Sequence, residues 1–92
     1  MNLKVEQNHS LSIEEARQRI GNFAELLGKH GLTVTWTGEN EATVKGKYII
    51  VEIDAVVKVS EKAVVIEGKD PGFLWRNKAK EFLSTQMAAY LK

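Results

Sequence analysis

The hydrophobic pattern of this chain begins with a period of two and switches to the helical period of about 3.6. It then returns to alternation through the middle and closes on a second helical stretch. Leu3 and Val5 alternate with Asn2, Lys4 and Glu6, which predicts a short strand. Gln7 to Ser10 is polar and reads as a loop. Ser12 stands three residues before Glu15, the spacing of a capping box in which each side chain satisfies the other residue's amide. Apolar residues then recur at Ile13, Ala16, Ile20, Phe23, Ala24 and Leu27, one stripe of an amphipathic helix. Gly28 and Gly31 end it, and Lys29 and His30 lie where a helix C-terminus favours positive charge. Gly21, inside this helix, suggests a close approach to a sheet.

From Leu32 to Thr37 apolar residues and threonines alternate without a fault, with Leu32, Val34 and Trp36 on one side. Residues 38–41 form a turn, residues 42–45 a returning strand, and Gly46-Lys47 a second turn. Residues 48–59 form a longer strand with Ile49, Val51 and Ile53 on one side. A disturbed register at Asp54-Ala55 predicts a bulge or break there. Residues 60–62 turn and residues 63–67 form the last strand. Asp70 as N-cap and Pro71 at the first helical position open a second helix. Its stripe is Trp75, Ala79, Phe82, Leu83, Met87, Tyr90 and Leu91. The expected order is β-α-β-β-β-β-α, and turns this short make neighbouring strands antiparallel. The fold class is therefore α+β: one domain over residues 1–92, a curved antiparallel sheet with both helices packed on one face.

Composition narrows the function classes. Ninety-two residues hold one core, and 43% hydrophobic with 27% charged residues is the balance of a folded chain. The absence of cysteine excludes disulfides and thiolate metal sites and fits a reducing, cytoplasmic location. Thirteen basic residues against twelve acidic ones offer little general attraction for nucleic acid. The apolar-rich stretch 48–59 is broken by Glu52, Asp54 and Lys58, so no transmembrane segment is expected. The first six residues lack the apolar run of a signal peptide.

The residues do not assemble into a catalytic set. His9 and His30 flank a helix of about eighteen residues, roughly 27 Å long, so they cannot share a metal ion within one chain. His9 beside Ser10 lacks a carboxylate to orient the ring. Glu52 and Asp54 point to the same face of their strand, but two acids without a third ligand are explained by an open, watered face. No enzyme activity, cofactor or metal is expected. Trp36 and Trp75 fit the apolar stripes of their own elements. Phe73, Leu74 and Trp75 are three consecutive large apolar residues, and they cannot all face one core. They are the expected ligand or partner surface, open to a homodimer mate or to an apolar surface.

His9-Ser10-Leu11 followed by Glu15-Ala16-Arg17 resembles the opening of the polyhydroxyalkanoic acid system family, small bacterial proteins often encoded near genes for storage-polyester granules. The likeness continues through Gly31, Trp36-Thr37-Gly38 and Val44-Lys45-Gly46. Gly38-Glu39 stands where the family usually has an acidic Gly-Asp turn, and residues 67–71 depart from its Leu-Gly step. The resemblance implies an accessory role at polyhydroxyalkanoate granules or in their metabolism, and no established reaction. The alternative is a small carrier, resembling a reduced helix-grip fold, that holds an acyl or lipid-like ligand between the sheet and the C-terminal helix.

Overall fold

The computed structural model describes residues 2–48 and 51–91, apart from the side chains of Asn2 and Phe73. The chain runs β1 (Asn2–Asn8), α1 (Ile13–Lys29), β2 (Leu32–Trp36), β3 (Glu41–Tyr48), β4 (Val51–Val59), β5 (Ala63–Lys69) and α2 (Phe73–Tyr90). The five strands form one antiparallel sheet in the order β1-β5-β4-β3-β2. The last strand thus enters beside the first and places β1 at the edge away from β2. This is the β-α-β-β-β-β-α order and α+β class expected from the pattern.

Strand register decides which face carries the core. Val5 lies opposite Ile66, Ile66 opposite Val57 and Val57 opposite Ala42, while Val59 lies opposite Val64. Directly opposed residues share a face, so these side chains form one apolar surface. Ala16, Ile20, Phe23 and Leu27 of α1, with Met87 and Leu91 at the end of α2, are buried in the same cluster as Val5, Val44, Val57, Val59, Val64 and Ile66. Both helices therefore lie on that face. Contacts place α1 over β2 and β4, and α2 against β1 and α1. The other face carries Lys4, Glu6, Thr33, Thr35, Lys45, Glu52, Asp54, Lys58 and Glu67, all exposed. Opposite charges meet across it, Glu41 with Lys58 and Glu52 with Lys69, each pair at 3.9 Å.

Several local expectations are corrected. Gly46-Lys47 does not turn. Both residues lie inside β3, and Gly46 adopts φ +147° because a Cβ there would stand 3.0 Å from the Gly31 carbonyl oxygen and 3.1 Å from Leu32. The residues joining β3 to β4, including Ile49, lie outside those described. No bulge or break occurs at Asp54-Ala55, because β3 and β4 pair without interruption from Glu41↔Lys58 to Tyr48↔Val51. Gly21 has nothing within 4 Å of a built Cβ, so no close approach explains it. The N-cap of α2 is Gly72 at φ +100°, not Asp70. Asp70 caps one step earlier: its carboxylate accepts from the Gly72 N–H at 2.9 Å and from Arg76 Nε at 3.0 Å. Ser12 does cap α1, accepting from the Glu15 N–H at 3.2 Å. The Glu15 side chain pairs forward with Arg19 at 3.2 Å, however, which leaves the reciprocal half of the capping box unmade among the described contacts.

Candidate functional site

The two helices meet the sheet unequally. The C-terminal half of α2 closes down through Met87 and Leu91, which are 0% and 6% exposed. Its N-terminal half stands off the sheet and leaves a groove of about 360 Å³. Leu3, Ile53, Ala55, Ile66 and Gly68 form the floor. Trp75, Ala79, Phe82 and Leu83 of α2 form one wall, and Leu27, Leu32, Val44 and Tyr48 the other.

Small residues make this space. Ala55 and Gly68 are opposed in register at the floor, and Ala79 faces them from the helix. Gly68 cannot be enlarged cheaply, because a Cβ would lie 2.5 Å from the Asp54 carbonyl oxygen and 2.6 Å from the Ala55 Cβ. The backbones of β4 and β5 approach closely here, and large side chains resume only beyond this point. The residues that form the groove therefore read in sequence as ordinary members of apolar stripes. The one signal that marks them is that three core-facing positions, Ala55, Gly68 and Ala79, are all small.

Of the ionisable residues in the lining, His30, Tyr48 and Lys78 border the groove, whereas Asp54 and Lys69 occupy strand positions whose side chains alternate onto the opposite face of the sheet. His30 caps the end of α1 and meets the Tyr48 ring edge-on at 5.5 Å. The Lys78 ammonium stands 5.8 Å from the Trp75 ring centre. Asp70 and Arg76 are committed to each other beside the groove. The guanidinium, then the Gly72 amide, hold the Asp70 carboxyl below its ordinary value, and Arg76 is raised in return by the hydrogen bond to Asp70. Among the described residues, no group of three or more His, Asp or Glu side chains is placed to hold a metal ion.

The structure separates the expected partner-surface residues. Leu74 is 73% exposed and points away from the groove, while Trp75 is half-buried in its wall. The side chain of Phe73 lies outside those described. Phe82, 40% exposed, and Tyr48, 41% exposed, extend the apolar rim beyond that triple.

The motif residues at the start of α1 gather into a brace on another part of the molecule. His9 Nδ1 accepts from the Leu11 N–H at 3.1 Å, which leaves Nε2–H to donate to the Ser60 carbonyl at 2.8 Å. The His9 amide donates to the Lys62 carbonyl at 2.9 Å. One residue thus ties the entry of α1 to the β4–β5 turn. Ser10 is exposed, Leu11 packs against the core, and Ala16 is fully buried. Arg17 lies 4.1 Å over the Trp36 ring and donates from Nε to the Glu39 carbonyl at 2.9 Å. This fastens α1 to the β2–β3 hairpin, whose turn is closed by the Gly38 and Thr37 amides on the Glu41 carbonyl. Both ring nitrogens of His9 are thus engaged by backbone groups.

The protein-family model described as "Putative polyhydroxyalkanoic acid system protein" matches residues 3–92. No curated protein and no solved structure matches the chain.

Proposed function

This chain belongs to the polyhydroxyalkanoic acid system family, and from that premise we propose that it is a non-enzymatic accessory protein whose groove holds an aliphatic acyl chain. The observation that carries the proposal is the groove of about 360 Å³ between the first half of α2 and the sheet, lined by Leu3, Ile66, Trp75, Ala79 and Leu83. Such a volume lies at the lower end of small-molecule sites, about 300–1,000 Å³. At roughly 30 Å³ for a methylene-sized group, close to the share of one water, it accepts about twelve such groups. A single acyl chain of about that length matches this volume. The family supports a bacterial, cytoplasmic setting in which hydroxyalkanoic acids are polymerised. No described helix is long and apolar enough to cross a membrane.

Trp75 supplies the readout. Titration with a series of straight-chain alcohols should give a saturable change in tryptophan emission. Each added methylene should contribute up to about 0.8 kcal/mol until the groove is full. A flat response across the whole series would remove the groove from consideration.

A second reading rests on Leu74, whose 73% exposure on the outer side of α2 supports docking on a polyester granule or a second copy of this chain. Sedimentation with granules that is unchanged by Leu74→Ser would count against that surface, and a monomeric solution mass would count against the copy. The balanced net charge of +1 supports no role for nucleic acid.

A further inference from the structure

We infer that the free edge of β2 pairs with β2 of a second copy of this chain, antiparallel and in register about Val34, to make one continuous sheet. This edge lies apart from the acyl-chain groove, so the inference stands or falls independently of that reading.

The backbone decides which groups the edge offers. In an antiparallel sheet, successive residues of an inner strand bond alternately to its two neighbours. The Val59 amide donates to the Asn40 carbonyl at 2.8 Å, so even-numbered residues of β3 bond to β4 and odd-numbered ones to β2. The Thr37 amide on the Glu41 carbonyl, at 2.9 Å, agrees. Thr33 and Thr35, opposite Lys45 and Thr43, therefore direct their backbone groups to β3. Those of Leu32, Val34 and Trp36 point outward from the last strand of the sheet, and no described residue bonds to them.

Natural sheet edges are kept from pairing by charged side chains, proline or a bulge. At the opposite edge β1 carries Lys4 and Glu6 and packs against α2. β2, with the sequence Leu-Thr-Val-Thr-Trp, has none of these devices. Its pattern is also self-complementary. Two-fold pairing about Val34 sets Leu32 against Trp36 of the copy and Val34 against Val34 of the copy. Every outward N–H and C=O of these residues then meets a partner. Leu32, Val34 and Trp36 are only half-buried in one chain, and the copy covers what remains. On the other face exposed Thr33 meets Thr35 of the copy, a favourable cross-strand pair. Above the seam, Gly21 and Gly28 share the flank of α1 on which Arg17 covers Trp36. A Cβ at either glycine would meet nothing within 4 Å in this chain, which leaves room for α1 of the copy.

A strand of five residues on each side makes a small interface, and small interfaces are weak. Sedimentation equilibrium of the full chain from about 10 μM to about 1 mM should show the mass rising from one copy towards two. A single copy at about 1 mM would overturn the inference. Two double variants test the register. Thr33→Glu/Thr35→Glu opposes like charges across the seam and should weaken the dimer about twofold to thirtyfold. Thr33→Glu/Thr35→Lys opposes unlike charges and should pair at least as tightly as the intact protein. In both, position 33 gains a carboxylate opposite Lys45, and circular dichroism checks that the fold is kept. Equal weakening by the two variants, or a dimer that neither alters, would overturn the register. Loss of the dimer in Leu74→Ser would place the contact on α2 and overturn the assignment to β2.

Discussion

Ala16 and Ala79 invite the same substitution and should answer it with opposite signs. Ala16 of α1 is 0% exposed, packed between its helix and the sheet. Ala79 of α2 faces the groove. Alanine to leucine adds three carbons at each site. At Ala16 there is no room for them, and overpacking costs typically about 1–3 kcal/mol. At Ala79 the added carbons enter space already open and leave water. Three methylene equivalents at about 0.8 kcal/mol set a ceiling near 2.4 kcal/mol. Incomplete burial at the groove mouth lowers this to about 1–2 kcal/mol of stabilisation. For a domain of this size 1 kcal/mol moves Tm by about 4–8 °C, so calorimetry resolves both shifts easily. Ala79→Leu should raise Tm and weaken decanol binding, whereas Ala16→Leu should lower Tm. A loss of stability at Ala79 comparable to that at Ala16 would refute the reasoning, because it would mean that α2 already packs closely on the sheet.

Other consequences follow from single residues. Phe23, 1% exposed and 5.5 Å from the Tyr90 ring centre, joins the two helices. Phe23→Ala should cost about 3–5 kcal/mol in denaturant unfolding, and a loss under about 1 kcal/mol would be inconsistent with one shared core. His9→Ala removes the bond to the Ser60 carbonyl and should cost about 1 kcal/mol, with decanol binding unchanged because the brace lies away from the groove. The folded-state value of Asp70 is depressed, so its stabilisation is present above the ordinary value of 3.8 and is lost as pH falls through the lower folded value. Asp70→Asn should therefore flatten the acid limb of the stability curve. An unchanged acid limb would mean that the Asp70–Arg76 contact does not hold the start of α2.

Legibility in the sequence followed how local each determinant was. The Ser12 cap and the stripe from Ala16 to Leu27 act within one helix and were readable directly. Strict alternation over Leu32–Trp36 likewise fixed β2 and its inward face. Errors arose where a glycine answered to a distant neighbour. Gly46 has the look of a turn residue, yet its positive φ accommodates the Gly31 carbonyl and Leu32 across the strand pair. The apparent fault at Asp54-Ala55 is the sequence trace of a pairing in which Ala55 faces Gly68 and the strands close together. Asp70-Pro71 carries helix-start chemistry but spends it on the approach to the helix, through the Gly72 amide and Arg76. The groove was the least legible feature. Periodicity identifies the residues on an apolar face, but it cannot show that small side chains on β4, β5 and α2 meet one another and leave space unfilled.

In the proposed complex an aliphatic chain lies between the first half of α2 and the sheet. Intermolecular nuclear Overhauser contacts from unlabelled decanol to carbon-labelled protein test it most directly. Contacts to Leu3, Ile66, Ala79 and Leu83 of the groove are expected. Contacts confined to Val56 and Val65 on the opposite face of the sheet, with silence in the groove, would contradict it.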